Sequence, residues 1–488
     1  MKLSQMARAG FRVANLPHPT GLPPRPFISA SSTIHLTSRP YQPVIQPLLN
    51  PPSHLLRFSY TTSCSPALPP HGPQKGDSIT IALSGGVDSS VTALLLAQSS
   101  HFELSAVFMR NWNELDESLS FHPGSGGASG CSWQKDWEDV QSVARHLGIP
   151  VRMVDLSKEY WTQVFEPALG EWRDGVTPNP DVGCNREIKF GALMDRVLPP
   201  DQGGGKKSWL ATGHYANIAW AEVADGKARP MLTRAKDRTK DQTYYLSSVG
   251  EERLAHAHFP LANLLKSEVR ELAKKYDLPT ANRRESMGIC FIGTRGSNKS
   301  VSHKDGFSSF LGGYIPSIPG NIIDGDTGAV VSSHSGLHTL TVGQGARIRG
   351  ATSKYYVAKK DIPNNSIVVV QGKTHPMLMC TELRADTIEW TWNEPPPELQ
   401  SGGKGKVELL AQVRHRQTET ECTVTRSKDK DGGGYVVRFK EPVLAVAPGQ
   451  VLGLWKGDWC LGSGVISSVQ TMFDEQVRET IPSARIQS

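Results

Sequence analysis

A strand, a glycine turn and a helix meet in Ser78-Ile79-Thr80-Ile81-Ala82-Leu83-Ser84-Gly85-Gly86-Val87-Asp88-Ser89-Ser90, and this junction restricts the possible folds more than any other stretch of the chain. Ser78–Leu83 is short, apolar and β-prone, whereas Val91–Gln98 has the composition of a helix. Paired glycines let backbone N–H groups approach an anion closely, and a helix N-terminus adds about half a positive charge. A lone Gly-Gly turn is often only a tight connection. This loop carries no Lys of the Walker A kind, so γ-phosphate transfer by an ordinary P-loop is excluded.

Downstream, Leu104–Met109 reads as a second strand, Trp137–Leu147 as a helix and Pro150–Val154 as a third strand. Strands alternating with helices predict an α/β fold with a doubly wound parallel sheet. Asn111–Ser132 is a Gly/Ser-rich excursion, and from about Gly293 a polar insertion around Ser297–Gly306 precedes a region poor in helices. Between about Met377 and Gln470 short strands such as Tyr435–Phe439 and Gln450–Trp455 alternate with Gly, Pro and Asp, the pattern of a small all-β barrel or sandwich. The expected organisation is a leader over 1–76, an α/β domain with the glycine loop over 77–293, a small central domain over 294–372, a β-barrel over 373–475 and a tail over 476–488.

The 488 residues carry a formal charge of +6, which invites a nucleic-acid reading. That charge is misleading. Residues 1–76 hold seven Lys or Arg and no Asp or Glu, and the rest of the chain balances 46 basic against 47 acidic residues. A phosphate-binding surface must therefore come from local clustering. The acid-free, Arg-bearing start resembles a mitochondrial transit peptide, which implies the matrix; a Pro-rich tail without an address is the alternative. No run approaches the roughly 20 apolar residues that span a bilayer. The cysteines are dispersed, without CxxC or zinc-type spacing, so neither a disulfide scaffold nor a metal site is expected.

Two cysteines have informative surroundings. Thr177-Pro178-Asn179-Pro180-Asp181-Val182-Gly183-Cys184-Asn185-Arg186-Glu187-Ile188-Lys189-Phe190 begins with stiffening prolines and passes into a helical GALMDRVL. Cys184 then lies near a helix N-terminus with Arg186 and Lys189 close in sequence, which favours the thiolate. Cys290, in Glu285-Ser286-Met287-Gly288-Ile289-Cys290-Phe291-Ile292-Gly293, has small and apolar neighbours and by itself reads equally as a core residue.

Taken together, SGGVDSS, FMRNW, TPNPDVGCNREIKFG, ATGHYA, KDQTYYL and SMGICFIG resemble, in order and spacing, the tRNA-specific 2-thiouridylases, a family of PP-loop ATP pyrophosphatases. The resemblance runs from about Ile79 to Ile466. It implies that Ala82, Leu83, Ser84, Gly85, Gly86, Val87, Asp88 and Ser89, with Met109 and Gly213, bind ATP, and that Mg²⁺ accompanies the nucleotide. It places the target base at Asn179, Pro180 and Asp181 and other tRNA contacts at Lys240, Asp241 and Gln242. Arg414 and His415 align with a further contact, usually Arg-Tyr. Cys184 matches the nucleophile and Cys290 the persulfide carrier, so the two can form a disulfide. Asp181 reads either as a proton shuttle or as a capping residue. The implied reaction adenylates the C2 oxygen of the wobble uridine in the anticodon arm and replaces it with sulfur from a persulfide-donating carrier or cysteine desulfurase system. A PP-loop amidotransferase would need no paired thiols, and an RNA-binding protein that merely kept the fold would need neither thiols nor an intact loop.

Overall fold

The computed structural model describes residues 71–99, 101–112, 132–199, 206–223, 226–284, 303–400, 405–427 and 433–480. Cys290, the Cys131 loop, most of the insertion around Ser297–Gly306 and residues 1–70 lie outside them.

The first domain is built on strands β1 (Ser78–Ala82), β2 (Glu103–Arg110), β3 (Val151–Asp155), β4 (Ser208–Ala211) and, past a hairpin of β5 (Asn217–Glu222) and β6 (Ala228–Thr233), β7 (Ala257–His258). They pair side by side in the order β3-β2-β1-β4-β7, every contact parallel, as the alternating pattern predicts. Ile79 and Ile81 face one side with Ala106, Phe108 and Trp209, while Val107 and Leu210 face a second buried cluster. Burial on both faces explains why these strands read as continuous apolar runs. Asp77 fastens the sheet's lower end, accepting from the Trp209 indole at 2.8 Å and from the Lys207 amide at 3.0 Å.

Helix α1 (Val87–Ser99) starts inside the glycine loop itself, and α2 (Ser132–Leu147) packs beside it. Later come α3 (Lys266–Lys275), which also packs on α1, and α4 (His303–Gly312). Although α4 lies beyond residue 293, it is buried in the first domain's core: Leu311 has no exposure, and Phe307 and Phe310 pack against Trp172 and Phe165 at 5.4 and 5.8 Å between ring centroids.

The central domain is a five-stranded sheet of β8 (Gly320–Asp324), β9 (Val330–His334), β10 (Gly345–Ala346), β11 (Tyr355–Asp361) and β12 (Ser366–Gln371), ordered β10-β11-β12-β8-β9. The third domain holds β13 (Met379–Ala385), the short β14 (Glu389–Trp390), β15 (Lys406–Gln412), β16 (Thr420–Arg426), β17 (Tyr435–Leu444), β18 (Val451–Lys456) and β19 (Trp459–Thr471). Pairing runs β13-β17-β16-β15-β18-β19, and a further β13–β19 ladder closes the barrel. Closure removes the open edges that such short strands would otherwise expose. Val424, Val437, Leu452 and Leu454, all without exposure, fill its interior. A final helix, Met472–Thr480, occupies the start of the expected tail.

The domains are knitted rather than strung together. The β5–β6 hairpin leaves the first sheet and joins the barrel, Thr233 pairing with Trp459. Among the described residues no helix is long and apolar enough to cross a membrane.

Candidate active site

The glycine loop follows the carboxyl end of β1, where ligands of parallel α/β sheets collect. Gly85 has φ +78°, and a Cβ there would come within 2.7 Å of Arg283 and 2.9 Å of the Asp136 carbonyl, so only glycine fits. Ser84 and Ser89 set the loop's shape: the Ser84 amide donates to Ser89 Oγ at 3.2 Å, and Ser89 Oγ donates to the Gly86 carbonyl at 3.1 Å. Ser84 itself is exposed, and a Cβ on Gly86 would meet only Ser84 Oγ at 3.5 Å. The loop is therefore open beside Ser84 and Gly86, ahead of the first turn of α1. Met109 lies at the carboxyl end of the neighbouring strand, past the Val107 carbonyl that bonds the Leu83 amide at 2.9 Å.

The segment after β4 touches this loop. A Cβ on Gly213 would lie 2.8 Å from the Ser89 amide and 2.9 Å from the Asp88 carbonyl carbon, so the absence of a side chain is what allows the approach. Two residues on, the Tyr215 hydroxyl donates to Asp88 Oδ1 at 3.0 Å. Between them, His214 is buried, its ring 6.0 Å from that of Phe190 on the cysteine-bearing helix. Burial and the nearby Lys189 hold the His214 pKa well below the usual histidine range.

That helix differs from the expectation at its start. Helical backbone begins at Pro180, runs through a wide π-helical stretch, Cys184–Leu193, broken at Gly191 (φ −101°, ψ −106°), and ends at Val197. Cys184 thus sits in its second turn and is buried, 2% exposed, among Val182, Ile188 and Phe190. The sequence put both Arg186 and Lys189 beside the thiol, but Arg186 points outward. Its guanidinium is bound to Glu389 at 2.5 and 2.6 Å and to Glu187 at 2.6 Å. A two-residue separation on a helix turns a side chain to another face, which proximity in sequence does not convey. Lys189 is the cation that stays with the site, acting on both Asp181 and His214. Burial raises the Asp181 pKa and Lys189 opposes the rise.

Ahead of this helix, Thr177–Pro180, where the resemblance expects the target base, are braced from the barrel. Gln450 Nε2 donates to the Thr177 carbonyl at 2.8 Å and the Pro178 carbonyl at 3.3 Å, and the Thr177 amide donates to the Pro448 carbonyl at 3.3 Å. Asn179 hydrogen-bonds the hydroxyl of Tyr244, which donates to the Val451 carbonyl at 2.8 Å. Pro180 is buried beneath them.

Of the expected tRNA contacts, Asp241 is committed to the protein. Its carboxylate takes Arg234 at 3.0 Å, the Ala235 amide at 2.8 Å and the Thr243 hydroxyl at 2.6 Å, and the residue is 8% exposed. Gln242 is likewise engaged, accepting from the Tyr215 amide at 3.0 Å. Lys240 remains partly exposed near His415, whose ring stacks on Tyr245 at 4.4 Å with 32° between planes. Burial, with Arg416 and Lys240 nearby, pushes the His415 pKa down to about 4, so the ring is neutral at pH 7. Arg414 donates to the Ala445 carbonyl at 2.5 Å and lies close to Tyr244.

Sequence reasoning missed Tyr215, Tyr244, Gln450 and Lys266. The two tyrosines stood inside motifs already singled out, ATGHYA and KDQTYYL. Nothing local marks the other two, which reach the site only through folding.

Three family models cover the described body. One, described as a tRNA methyl transferase HUP domain, matches residues 77–294; a tRNA methyl transferase PRC-barrel domain matches 308–371, and an aminomethyltransferase beta-barrel domain matches 380–466. The tRNA-specific 2-thiouridylase MnmA of Chromohalobacter salexigens is 40% identical over 397 residues, spanning 80% of this chain and 92% of the relative. The chain belongs to the tRNA-specific 2-thiouridylase family. The MnmA of Chlamydia pneumoniae is also 40% identical, over 390 residues that cover 80% of this chain and 96% of the relative. Among solved structures, the U34-tRNA thiolase NcsA from Methanococcus maripaludis aligns with 42% of this chain and 58% of its own at 17% identity, with a TM-score of 0.25, too slight a likeness to argue from. For a 2-thiouridylase the arrangement is economical: one segment, Ala211–Tyr215, touches both the nucleotide loop and the helix that carries Cys184.

Proposed function

We propose that the chain is an ATP-dependent tRNA 2-thiouridylase that adenylates the C2 oxygen of the wobble uridine and exchanges it for sulfur. The observation that carries this reading is the contact of Gly213 and Tyr215 with the nucleotide loop on one side and of His214 with Phe190, six residues after Cys184, on the other. A base held at Asn179–Asp181 is thereby brought toward the polyphosphate end of a nucleotide.

The C2 oxygen of uracil is a poor leaving group. Its attack on the α-phosphorus of ATP, with loss of pyrophosphate, turns it into an AMP ester. Sulfur then adds at C2 and AMP departs. The terminal sulfur of a Cys290 persulfide is the donor: the Cys184 thiolate attacks the inner sulfur, forming a Cys184–Cys290 disulfide and freeing hydrosulfide that adds at C2, or else the terminal sulfur itself attacks C2, AMP departs and Cys184 then attacks the inner sulfur, leaving the thiolated base and the same disulfide. In both routes an external thiol must reduce the disulfide before the next turnover. Lys189 offers charge balance to developing anions, and Asp181, its pKa raised by burial, is suited to moving the N3 proton. Mg²⁺ enters with the nucleotide. Lys240, Arg414 and the exposed side of the His415–Tyr245 stack supply cationic and flat surfaces for an anticodon arm. We also propose that residues 1–76 direct the protein to the mitochondrial matrix, where a persulfide carrier or cysteine desulfurase system loads Cys290; fusion of this segment to a fluorescent reporter tests the address.

The test of the reaction is to incubate the protein with unmodified tRNA, Mg²⁺-ATP and a persulfide source, digest the RNA and measure 2-thiouridine by mass spectrometry. Product that vanishes in Cys184→Ser and Cys290→Ser, while ATP and tRNA binding persist, supports the relay. Pyrophosphate release without thiolation, given an active donor, points to another adenylated substrate.

A further inference from the structure

The nucleotide loop carries no cation of its own between Ser84 and Ser90, yet it must receive a polyphosphate of high negative charge. Among the described residues, folding brings Arg283 and Lys266 to it. Arg283 donates to the Gly85 carbonyl at 2.8 Å but faces two carboxylates, Asp139 at 2.6 Å and Asp136, so its charge is more than matched. Lys266 stands differently. It opens α3, its side chain 12% exposed, and its ammonium lies 2.6 and 2.7 Å from the two oxygens of Asp88. Asp88 is in the first turn of α1, at the end of the helix that attracts anions. The Tyr215 hydroxyl holds the same carboxylate, and the Tyr215 ring lies 5.7 Å from the ammonium. The other acids around Lys266 are occupied: Asp237 accepts the Lys266 amide at 2.9 Å, and Glu268 takes the Leu265 amide at 2.6 Å and Lys236 at 3.3 Å.

A carboxylate alone in that first turn would repel a polyphosphate. A carboxylate neutralised by a lysine does not, and an ammonium can share its protons between that carboxylate and phosphate oxygens. We propose that Lys266 is a polyphosphate-binding residue of the nucleotide site, stored on Asp88 and shared with phosphate oxygens when the nucleotide binds. It stands in for the lysine that other phosphate loops encode within the loop, and it comes instead from a helix 178 residues farther along the chain. This rests on the reading of the loop as an ATP site.

The test uses the full-length protein without tRNA and compares equilibrium affinities for ATP, pyrophosphate and adenosine in wild type, Lys266→Met and Lys266→Arg. Loss of a charge-assisted contact should weaken ATP and pyrophosphate about ten- to a hundredfold. Adenosine, which lacks phosphates, should bind unchanged, and Lys266→Arg should restore most of the loss. Equal weakening of ATP and adenosine, or no change in either, makes Lys266 a tie between α1 and α3 and overturns the proposal. Wild type that binds ATP no better than adenosine refutes the ATP reading itself, a result separable because it needs no variant. If Lys266→Met does not fold, Lys266→Gln combined with Asp88→Asn leaves no charge unpaired and gives the same comparison.

Discussion

Gly449→Ala is expected to disable thiolation from a position in the barrel that touches no substrate. Gly449 has φ +87°, a conformation that costs an alanine roughly 1–2 kcal/mol. Its new methyl would also stand 2.2 Å from Val176 Cγ1 and 3.0 Å from the Thr177 backbone nitrogen and carbonyl carbon. Carbon atoms settle at about 3.5–4.0 Å, so the two segments must part by about 1 Å, and the Thr177 backbone cannot rotate out of the way. Overpacking of this kind adds about 1–3 kcal/mol to the loss of stability. The displaced stretch is the one that Gln450 and Pro448 hold by hydrogen bonds and that leads into Asn179 and Asp181. A displacement of about 1 Å in a reacting group can cost about a hundredfold in rate, so kcat for 2-thiouridine formation should fall by that order while ATP affinity holds. Gly457→Ala is the matched control: φ is +59°, but its Cβ would meet nothing within 4 Å. It should lower stability by about 1–2 kcal/mol and leave kcat alone. If Gly449→Ala loses no more activity than Gly457→Ala, the barrel does not set the base-binding loop.

Asp241→Asn should cost about 1–3 kcal/mol, because it takes a buried carboxylate from Arg234, the Ala235 amide and the Thr243 hydroxyl, while Glu419 at 2.6 Å still pairs with Arg234. Thermal stability and tRNA affinity should fall together; lost tRNA affinity at unchanged stability would mean that Asp241 touches RNA directly. Burial lowers the His258 pKa from 6.5 to about 4, so the unfolded chain takes up this proton first. Stability should therefore be full above about pH 6.5 and decline as pH falls toward 4. In His258→Gln that decline should be shallower in denaturant titrations, and an identical pH dependence would exclude His258 as its source. Asp181→Asn should remove the acid-side limb of the kcat–pH profile, which burial shifts upward against the opposing pull of Lys189; an unaltered limb would leave Asp181 a structural role.

The local pattern was sufficient for much of the molecule. Ile79 and Ile81 between turn residues specify a buried strand, and Gly85-Gly86 before a helix-forming run specifies a turn into a helix. Both follow from interactions over a few residues, so they survive in the sequence as pattern. The short strands after Met377 likewise announced a β-domain, and six of them close as a barrel among the described residues. The placement of Cys184 was only half legible: its helix was apparent, but Pro180 starts that helix a turn early, which buries the thiol and sends Arg186 out to Glu389.

By itself, then, the sequence determined the strand–glycine loop–helix, the α/β and β domains, and the family motifs with Cys184 among them. Only the tertiary structure decided that Asp241 is spent on Arg234, that Gln450 and Gly449 brace Thr177, and that Lys266 reaches Asp88. The reason is chain separation. Turns and amphipathic periods arise from neighbours, whereas the contact between Gln450 and Thr177 joins groups 273 residues apart and exists only once the barrel has packed on the first domain.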